Sequence, residues 1–366
     1  MPLIPEFIKQ LKPYVAGRTI EEIQKEFGLE KVYKLASNEN PLGPSLHAIE
    51  AIEKCLHDLH RYQDVGATEL RTEIAKMYDL KISNVLVGNG SEGIMANILR
   101  CFLADDDEML SSKGTFIGFQ VMAKGSGKKF IEVPMQDGYK FDLDSIAFNI
   151  TERTKLIYLC NPNNPTGTIF TKDEFDAFIE KVPQNIIVIL DEAYFEFAED
   201  KPEYPNSMMY RYDNVITLRT FSKIYGIASV RIGYGFAHEE LVENIMKVKL
   251  PFEPSLPAQV AAVASLKDNE FLQRSLEVNK SGYKFVTSEL TKLDLNWIPS
   301  YANFVMIDLG TEERVNEIND KLLRSGIIIR PLKAFGLPHC LRITIGLEEE
   351  NKAMVSALKK ILMGNT

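Results

Sequence analysis

The stretch Asn185-Ile-Ile-Val-Ile-Leu-Asp-Glu-Ala-Tyr194 runs five consecutive apolar residues into a pair of carboxylates. An unbroken β-branched run of that length predicts a strand buried on both faces, as in a parallel sheet covered by helices. A carboxylate at the end of such a strand is costly unless it meets donors or a cation. Taken alone, Asp191 reads as the N-cap of a following helix or as the partner of a protonated heterocyclic nitrogen. Tyr194 adds a phenol three residues on.

Similar runs lie on either side: "NVLVGNG" (84–90), "EMLSS" (108–112), "KKFIEVPM" (128–135), "KLIYLCNP" (155–162), "NVITLRTFS" (214–222) and "RIGYGFA" (231–237). Between two of them, "TKDEFDAFIEKV" has the apolar spacing of an amphipathic helix, with Thr171 as N-cap. Strands alternating with helices predict an α/β domain built on a mostly parallel sheet. The pattern changes at "KLPFEPSLPAQV" (249–260), where prolines occur at 251, 254 and 257. A long helical region follows. Then come "ANFVMIDL", an amphipathic "EERVNEINDKLLRSG", "IIIRPL", "CLRITIG" and a last helix to about Leu362, together a smaller α+β unit. The expected division is an N-terminal arm over 1–35, a large domain over 36–255 and a small domain over 256–366. The arm is expected to pack on the small domain or on a partner subunit.

The 366 residues are 45% hydrophobic and 25% charged, ordinary for a globular protein with a sizeable core. A net charge of −9 argues against broad binding to nucleic acid or anionic membranes. No run approaches a membrane span, and "MPLIPEFIKQLKPYV" lacks the features of a signal peptide, so a cytoplasmic location is expected. Cys55, Cys101, Cys160 and Cys340 show no C-x-x-C spacing and read as reduced thiols. His57 and His60 lack a third ligand at helical spacing, and no metal site is expected from them.

Four motifs fall at strand ends. "GNGSEG" (88–93) lets backbone approach an anion at a helix N-terminus. As a dinucleotide fingerprint it is weak, because no acidic residue follows the next strand; a tight turn capped by Ser91 is the plain alternative. "NPNNPTG" (161–167) is a rigid turn whose Asn164 offers a side-chain N–H. Asp191 follows. "TFSKIYG" (220–226) places Lys223 beside Thr220 and Ser222, with Arg231 eight residues later. A desolvated lysine has a lowered pKa and forms a Schiff base with a carbonyl. A lone lysine at a strand end is usually surface. The set together suits one cofactor, with a ring oxygen, a basic nitrogen, an aldehyde and a phosphate: pyridoxal phosphate.

In that order, "NPNNPTG … DEAY … TFSK … RIGYG" resembles the fold-type I, aspartate-aminotransferase-like pyridoxal-phosphate enzymes over nearly the whole chain. "KLASNENPLGPS" (34–45), "RYQD" (61–64) and "IIIRPL … CLRITIG" are similar to the histidinol-phosphate aminotransferase branch. The resemblance implies a large domain with a seven-stranded, mostly parallel sheet. It implies Lys223 as the Schiff-base lysine, Asp191 on the pyridinium nitrogen, and Asn164 and Tyr194 on the ring oxygen. Ser91, Glu92, Thr220, Ser222 and Arg231 would hold the phosphate, with Tyr62 reaching it from the other subunit of a homodimer. Arg330 and Arg342 would take the substrate's anionic group, with Asn38 at the entrance. Three residues depart from the family pattern: Phe116 stands for a ring-stacking tyrosine, Glu92 for an aspartate, and Gln63 for the proline of "RYPD".

Arginines suit bidentate capture of carboxylate or phosphate. The implied reaction moves the amino group of L-glutamate to imidazole-acetol phosphate, giving L-histidinol phosphate and 2-oxoglutarate. An aromatic amino-acid (phenylalanine or tyrosine) aminotransferase remains open, as does a decarboxylase of a phosphorylated amino acid on the same scaffold.

Overall fold

A computed structural model describes residues 3–11, 17–207 and 213–364. The apolar runs pair into one seven-stranded sheet. Its order is Val85–Gly88, Gly233–Phe236, Val215–Thr220, Ile187–Asp191, Thr154–Cys160, Glu108–Ser112, Lys129–Val133. Gly233–Phe236 runs antiparallel to both neighbours; the other pairs are parallel. Every residue of Thr154–Cys160 except Lys155 is buried, as is every residue of Ile187–Asp191 and Val215–Thr220, which is why these strands read as unbroken apolar runs.

The helix Lys172–Ile179 opens with Thr171 as N-cap, as foreseen, and the structure adds a capping box: the Thr171 hydroxyl accepts from the Glu174 N–H, and the Glu174 carboxylate accepts from the Thr171 N–H. It buries Phe175, Phe178 and Ile179 in the core of the large sheet. The loops that leave the carboxyl ends of Thr154–Cys160, Ile187–Asp191 and Val215–Thr220 stand side by side, the usual place for a ligand in an open α/β sheet.

A second sheet of four antiparallel strands follows in the chain, ordered Arg330–Pro331, Cys340–Thr344, Phe304–Asp308, Asn296–Ile298. Its core includes Val286, Leu290, Val305, Val315, Leu322, Leu341 and Met354. The N-terminal segment joins this unit. Tyr33–Lys34 pairs in parallel with Ile327–Ile328, and Ile23 and Val32 pack with Ile328. The helix Leu256–Leu266 lies C-terminal to the boundary expected at 255, yet its Ala258, Ala261 and Ala262 pack with Ala48, Leu70 and Tyr234 of the large-sheet layer. The four cysteines are free thiols. No helix among the described residues is long and apolar enough to cross a membrane.

Candidate active site

One cavity of about 700 Å³ opens where the carboxyl ends of the large sheet meet the small sheet. It is lined by Asn38, Ser91, Glu92, Phe116, Asn164, Asp191, Tyr194, Thr220, Ser222, Lys223, Arg231, Arg330 and Arg342. Every candidate site residue from the sequence lies there except Tyr62. Tyr62 is 77% exposed and stacks on Phe252 instead.

Asp191 is the last residue of its strand and is buried. It does not cap a helix: the short helix Phe195–Ala198 begins after Tyr194 without a side-chain cap. The Tyr158 hydroxyl donates to Asp191 Oδ2 at 2.7 Å, while Oδ1 is buried with no hydrogen-bond partner. Burial pushes the Asp191 carboxyl up to about 6, against the pull of the Tyr158 donor. A carboxylate in this position has one oxygen fixed and one awaiting a donor.

Lys223 follows the strand Val215–Thr220. Its Nζ lies 3.4 Å from the Ser37 carbonyl and 5.8 Å from the centre of the Tyr194 ring. Desolvation lowers the amine to about 8, and the charges of Arg342 and Arg231 push in the same direction. No acidic side chain forms a salt bridge with Lys223 among the described residues, so its neutral form is accessible near neutral pH.

The Tyr194 hydroxyl accepts from Asn38 Nδ2 at 2.9 Å, and its own proton remains for a ligand oxygen. Asn38 is fixed in turn. Its backbone is left-handed at φ 57°, its Oδ1 accepts from the Thr344 hydroxyl at 2.9 Å, and its carbonyl accepts from Asn303 Nδ2 at 3.1 Å. The entrance residue foreseen in sequence is therefore a buried tie between both sheets.

The glycine turn builds an anion cradle. Gly90 takes φ 72°, and a Cβ there would meet Arg231 Nη2 at 2.6 Å. A Cβ on Gly233 would meet the Ser91 N–H nitrogen at 2.4 Å. Both glycines are needed for the backbone and the guanidinium to close on one space. Arg231, itself at φ 57°, donates to Ser222 Oγ at 3.3 Å and to Glu92 Oε2 at 3.2 Å. The helix Gly90–Phe102 presents its N-terminus here; its N-cap is Asn89, not Ser91.

On the facing wall, Arg330 and Arg342 are cross-strand partners in the small sheet. Both line the cavity. Arg342 also donates to Asn164 Oδ1, and to the Ala36 carbonyl at 2.7 Å.

The chain matches the family "Aminotransferase class I and II" over residues 30–358. It belongs to that family. A histidinol-phosphate aminotransferase of Caldicellulosiruptor saccharolyticus is 43% identical, with 98% of this chain and 99% of that protein covered. One from Brevibacillus brevis is 43% identical over 96% of both chains. The structure of a histidinol-phosphate aminotransferase from Sinorhizobium meliloti in complex with pyridoxal-5'-phosphate superposes with a TM-score of 0.90 at 26% identity. That match covers 100% of this chain and 99% of the other.

The chain is therefore a pyridoxal-phosphate-dependent aminotransferase of fold type I. Its residues fit that cofactor: the partnerless Asp191 Oδ1 suits a protonated ring nitrogen, and the Gly90–Arg231 cradle suits a phosphate.

Two features of the aminotransferase were not foreseen. Tyr158 fixes Asp191, and alternation along its strand puts it on the same face as Cys160, which also lines the cavity. Behind the sheet lies a buried cluster. Arg219 donates from Nε to Glu192 Oε2 at 2.9 Å and from Nη1 to the Tyr78 hydroxyl at 2.9 Å, with its guanidinium 3.3 Å from the Phe195 ring centre. Glu196 is buried beside it with Oε1 lacking a partner, and burial pushes its carboxyl up to about 8.

Elsewhere, Asp308, His339 and Cys340 bring ligand-capable atoms within 4.8 Å of one another. The Tyr139 hydroxyl joins them, donating to Asp308 Oδ2 at 2.7 Å and lying 3.1 Å from His339 Nε2. This network links a turn of the large unit to the small sheet. His57 and His60 are exposed and distant from it in sequence; His60 Nδ1 lies 3.0 Å from the His57 carbonyl.

Proposed function

We propose that this enzyme is a histidinol-phosphate aminotransferase, exchanging an amino group between L-glutamate and imidazole-acetol phosphate. The observation that carries the reading is the cross-strand pair Arg330 and Arg342 on the cavity wall. Two arginines on one wall of the cavity suit a dianionic phosphate, and they would serve the carboxylates of glutamate in the other half-reaction.

Bound pyridoxal phosphate supplies an aldehyde that carries the amino group and a ring that accepts electrons. Lys223 anchors that aldehyde. Its free amine, lowered to about 8, would hold and move the proton at the substrate Cα. Asp191 would hold a proton on the ring nitrogen, its Oδ2 fixed by Tyr158 and its Oδ1 without another partner. Asn164 and Tyr194 hold the ring oxygen. Phe116 lines the cavity and would offer the ring an apolar face without a hydroxyl. Ser91, the N–H groups at Ser91 and Glu92, Thr220, Ser222 and Arg231 hold the phosphate. Asn38 keeps Tyr194 in place at the substrate side.

The same reading makes the enzyme a homodimer, with Tyr62 of each chain reaching the other's cofactor phosphate. Its exposure and its place outside the lining of its own cavity support that role. It also takes the division into an arm, a cofactor-binding unit and a smaller C-terminal unit as functional, with the arginine pair arriving from the last. The enzyme works in the cytoplasm, in histidine biosynthesis.

The test is a half-reaction without oxo acid. The protein loaded with pyridoxal phosphate is mixed with L-histidinol phosphate or with L-phenylalanine, and the visible band of the lysine-bound cofactor is followed. Fast loss with histidinol phosphate and slow loss with phenylalanine is expected. The reverse order assigns the enzyme to aromatic amino acids, and carbon dioxide released in a third mixture with a phosphorylated amino acid assigns it to decarboxylation.

A further inference from the structure

The loop that carries Tyr62 is laced to a second loop by side chains that no catalytic role uses. Gln63 Nε2 donates to the carbonyl of Phe252 and, at 2.7 Å, to that of Pro254. Gln259 Nε2 donates to the Asp64 carbonyl at 3.0 Å and to the same Pro254 carbonyl at 2.9 Å. Lys249 Nζ donates to the Val65 carbonyl at 3.1 Å and to the Glu253 carbonyl. Above this lacing the Tyr62 ring lies flat on the Phe252 ring, with centroids 3.8 Å apart and planes 18° from parallel.

Two details show that the arrangement is imposed. Phe252 is held at φ 62°, a left-handed conformation unfavourable for a bulky side chain. Both rings are also solvent-exposed, at 77% and 41%, so burial within this chain does not hold them together. The next residue reaches the cofactor cradle: Glu253 Oε1 accepts from Asn89 Nδ2 at 3.1 Å, and Asn89 is the N-cap of the helix facing the cavity.

Gln63 is the departure from "RYPD" noted in the sequence. A proline would fix this backbone through its ring but offers no donor. The glutamine fixes it through two donated hydrogen bonds and ties it to the loop that presents Phe252.

We propose that Gln63 and Phe252 are positioning residues: Gln63 pins the 61–65 loop, and the Phe252 ring holds the Tyr62 ring, so that the Tyr62 hydroxyl is presented in one pose to the cofactor phosphate of a second copy. The proposal rests on the reading of Tyr62 as a residue of the shared site. Presenting the hydroxyl ready-oriented removes the ordering cost from cofactor binding. The effect therefore belongs to cofactor affinity and to the phosphate in particular.

The test measures the dissociation constants of pyridoxal phosphate and of pyridoxal, which lacks the phosphate, by equilibrium dialysis. The proteins are full-length wild type, Tyr62→Phe, Gln63→Met, Phe252→Ala, Phe252→Tyr and the doubles with Tyr62→Phe, with sedimentation to fix the oligomeric state. Gln63→Met and Phe252→Ala are each expected to weaken pyridoxal phosphate binding about three- to tenfold. Phe252→Tyr should retain wild-type affinity, and neither loss should add to that of Tyr62→Phe. Pyridoxal affinity should be unmoved throughout. Equal losses for pyridoxal, losses that add in the Tyr62→Phe background, or no loss in either variant would each overturn the positioning role. A Tyr62→Phe protein that binds like wild type, or a fully active monomer, would overturn the shared-site reading beneath it.

Discussion

Arg342 on the small sheet donates to the Oδ1 of Asn164, in the turn after the Thr154–Cys160 strand of the large sheet. A proposed substrate-binding group and a proposed cofactor-binding group thus share one hydrogen bond. Asn164 keeps its Nδ2 for the ring oxygen only while its oxygen faces the guanidinium. Asn164→Asp replaces that donor with an acceptor and offers Arg342 a full counter-charge. The expected result is a KM for histidinol phosphate raised about tenfold or more, together with weaker cofactor binding. Steady-state kinetics at saturating pyridoxal phosphate separates the two effects.

Lys223 sets a pH dependence with a definite sign. In the unloaded protein its amine titrates near 8, against 10.5 for an ordinary lysine. Capture of the cofactor aldehyde needs the neutral amine, so its rate should rise about tenfold per pH unit below 8 and level off above. An unshifted lysine would keep gaining to 10.5. Stability follows the same group. The unfolded chain holds the proton up to 10.5 and the folded chain releases it near 8, so the lysine costs stability below 8 and the cost fades between 8 and 10.5. Lys223→Met apoprotein should therefore melt higher than wild type at pH 7, with the gap closing by pH 10, while its turnover falls by about 10³-fold or more. Stopped-flow absorbance and calorimetry across pH read the two.

Asp191→Asn leaves the buried position filled but unable to hold a proton on the ring nitrogen. A loss of about 10²–10³ in kcat is expected, with the cofactor still bound. Tyr158→Phe removes the donor that favours the charged carboxyl and should raise its titration point further. Infrared titration of the carboxyl band in the unloaded protein should show Asp191 ionising at higher pH in the Tyr158→Phe protein than in wild type, with the band missing from the Asp191→Asn protein.

Glu196 is the buried acid that catalysis does not need. Its carboxyl stays protonated in the folded protein up to about 8, whereas the unfolded chain ionises near 4.5. Between those values the folded state holds an extra proton, so this group's contribution falls steadily as pH rises and is fully lost above 8. Glu196→Gln keeps the neutral shape. Its melting temperature relative to wild type should therefore increase from pH 5 to pH 9, with activity unchanged at pH 7.

The strands were legible because burial on both faces leaves an unbroken apolar signature, as in Ile187–Leu190, and the turns because Asn161–Gly167 and Gly88–Gly93 carry strong local chemistry. Residues whose part depends on a distant partner were not. Tyr158 looks like any aromatic in a core strand until Asp191 stands beside it in the adjacent strand. The Arg342–Asn164 bond spans 178 positions, and no local pattern announces it. Ser91 looked like a cap because it precedes an apolar helical pattern, but the helix spans Gly90–Phe102 and Asn89 stands at the cap position. Leu256–Leu266 followed a cluster of prolines that reads as a boundary, yet its alanine face fits closely on Leu46–Cys55, and packing outweighs punctuation there.

The parallel pairing of Tyr33–Lys34 with Ile327–Ile328 has a consequence for how the chain is made. The first strand of the small unit leaves the ribosome 294 residues before its partner (327 − 33). At about 5–20 residues per second, it waits roughly 15–60 s with Ile23 and Val32 uncovered, while the large sheet has all its strands to fold with. Residues 23–34 are thus among the last parts of the fold to reach their place. A bulky insertion just ahead of Ile20 would burden that late docking step.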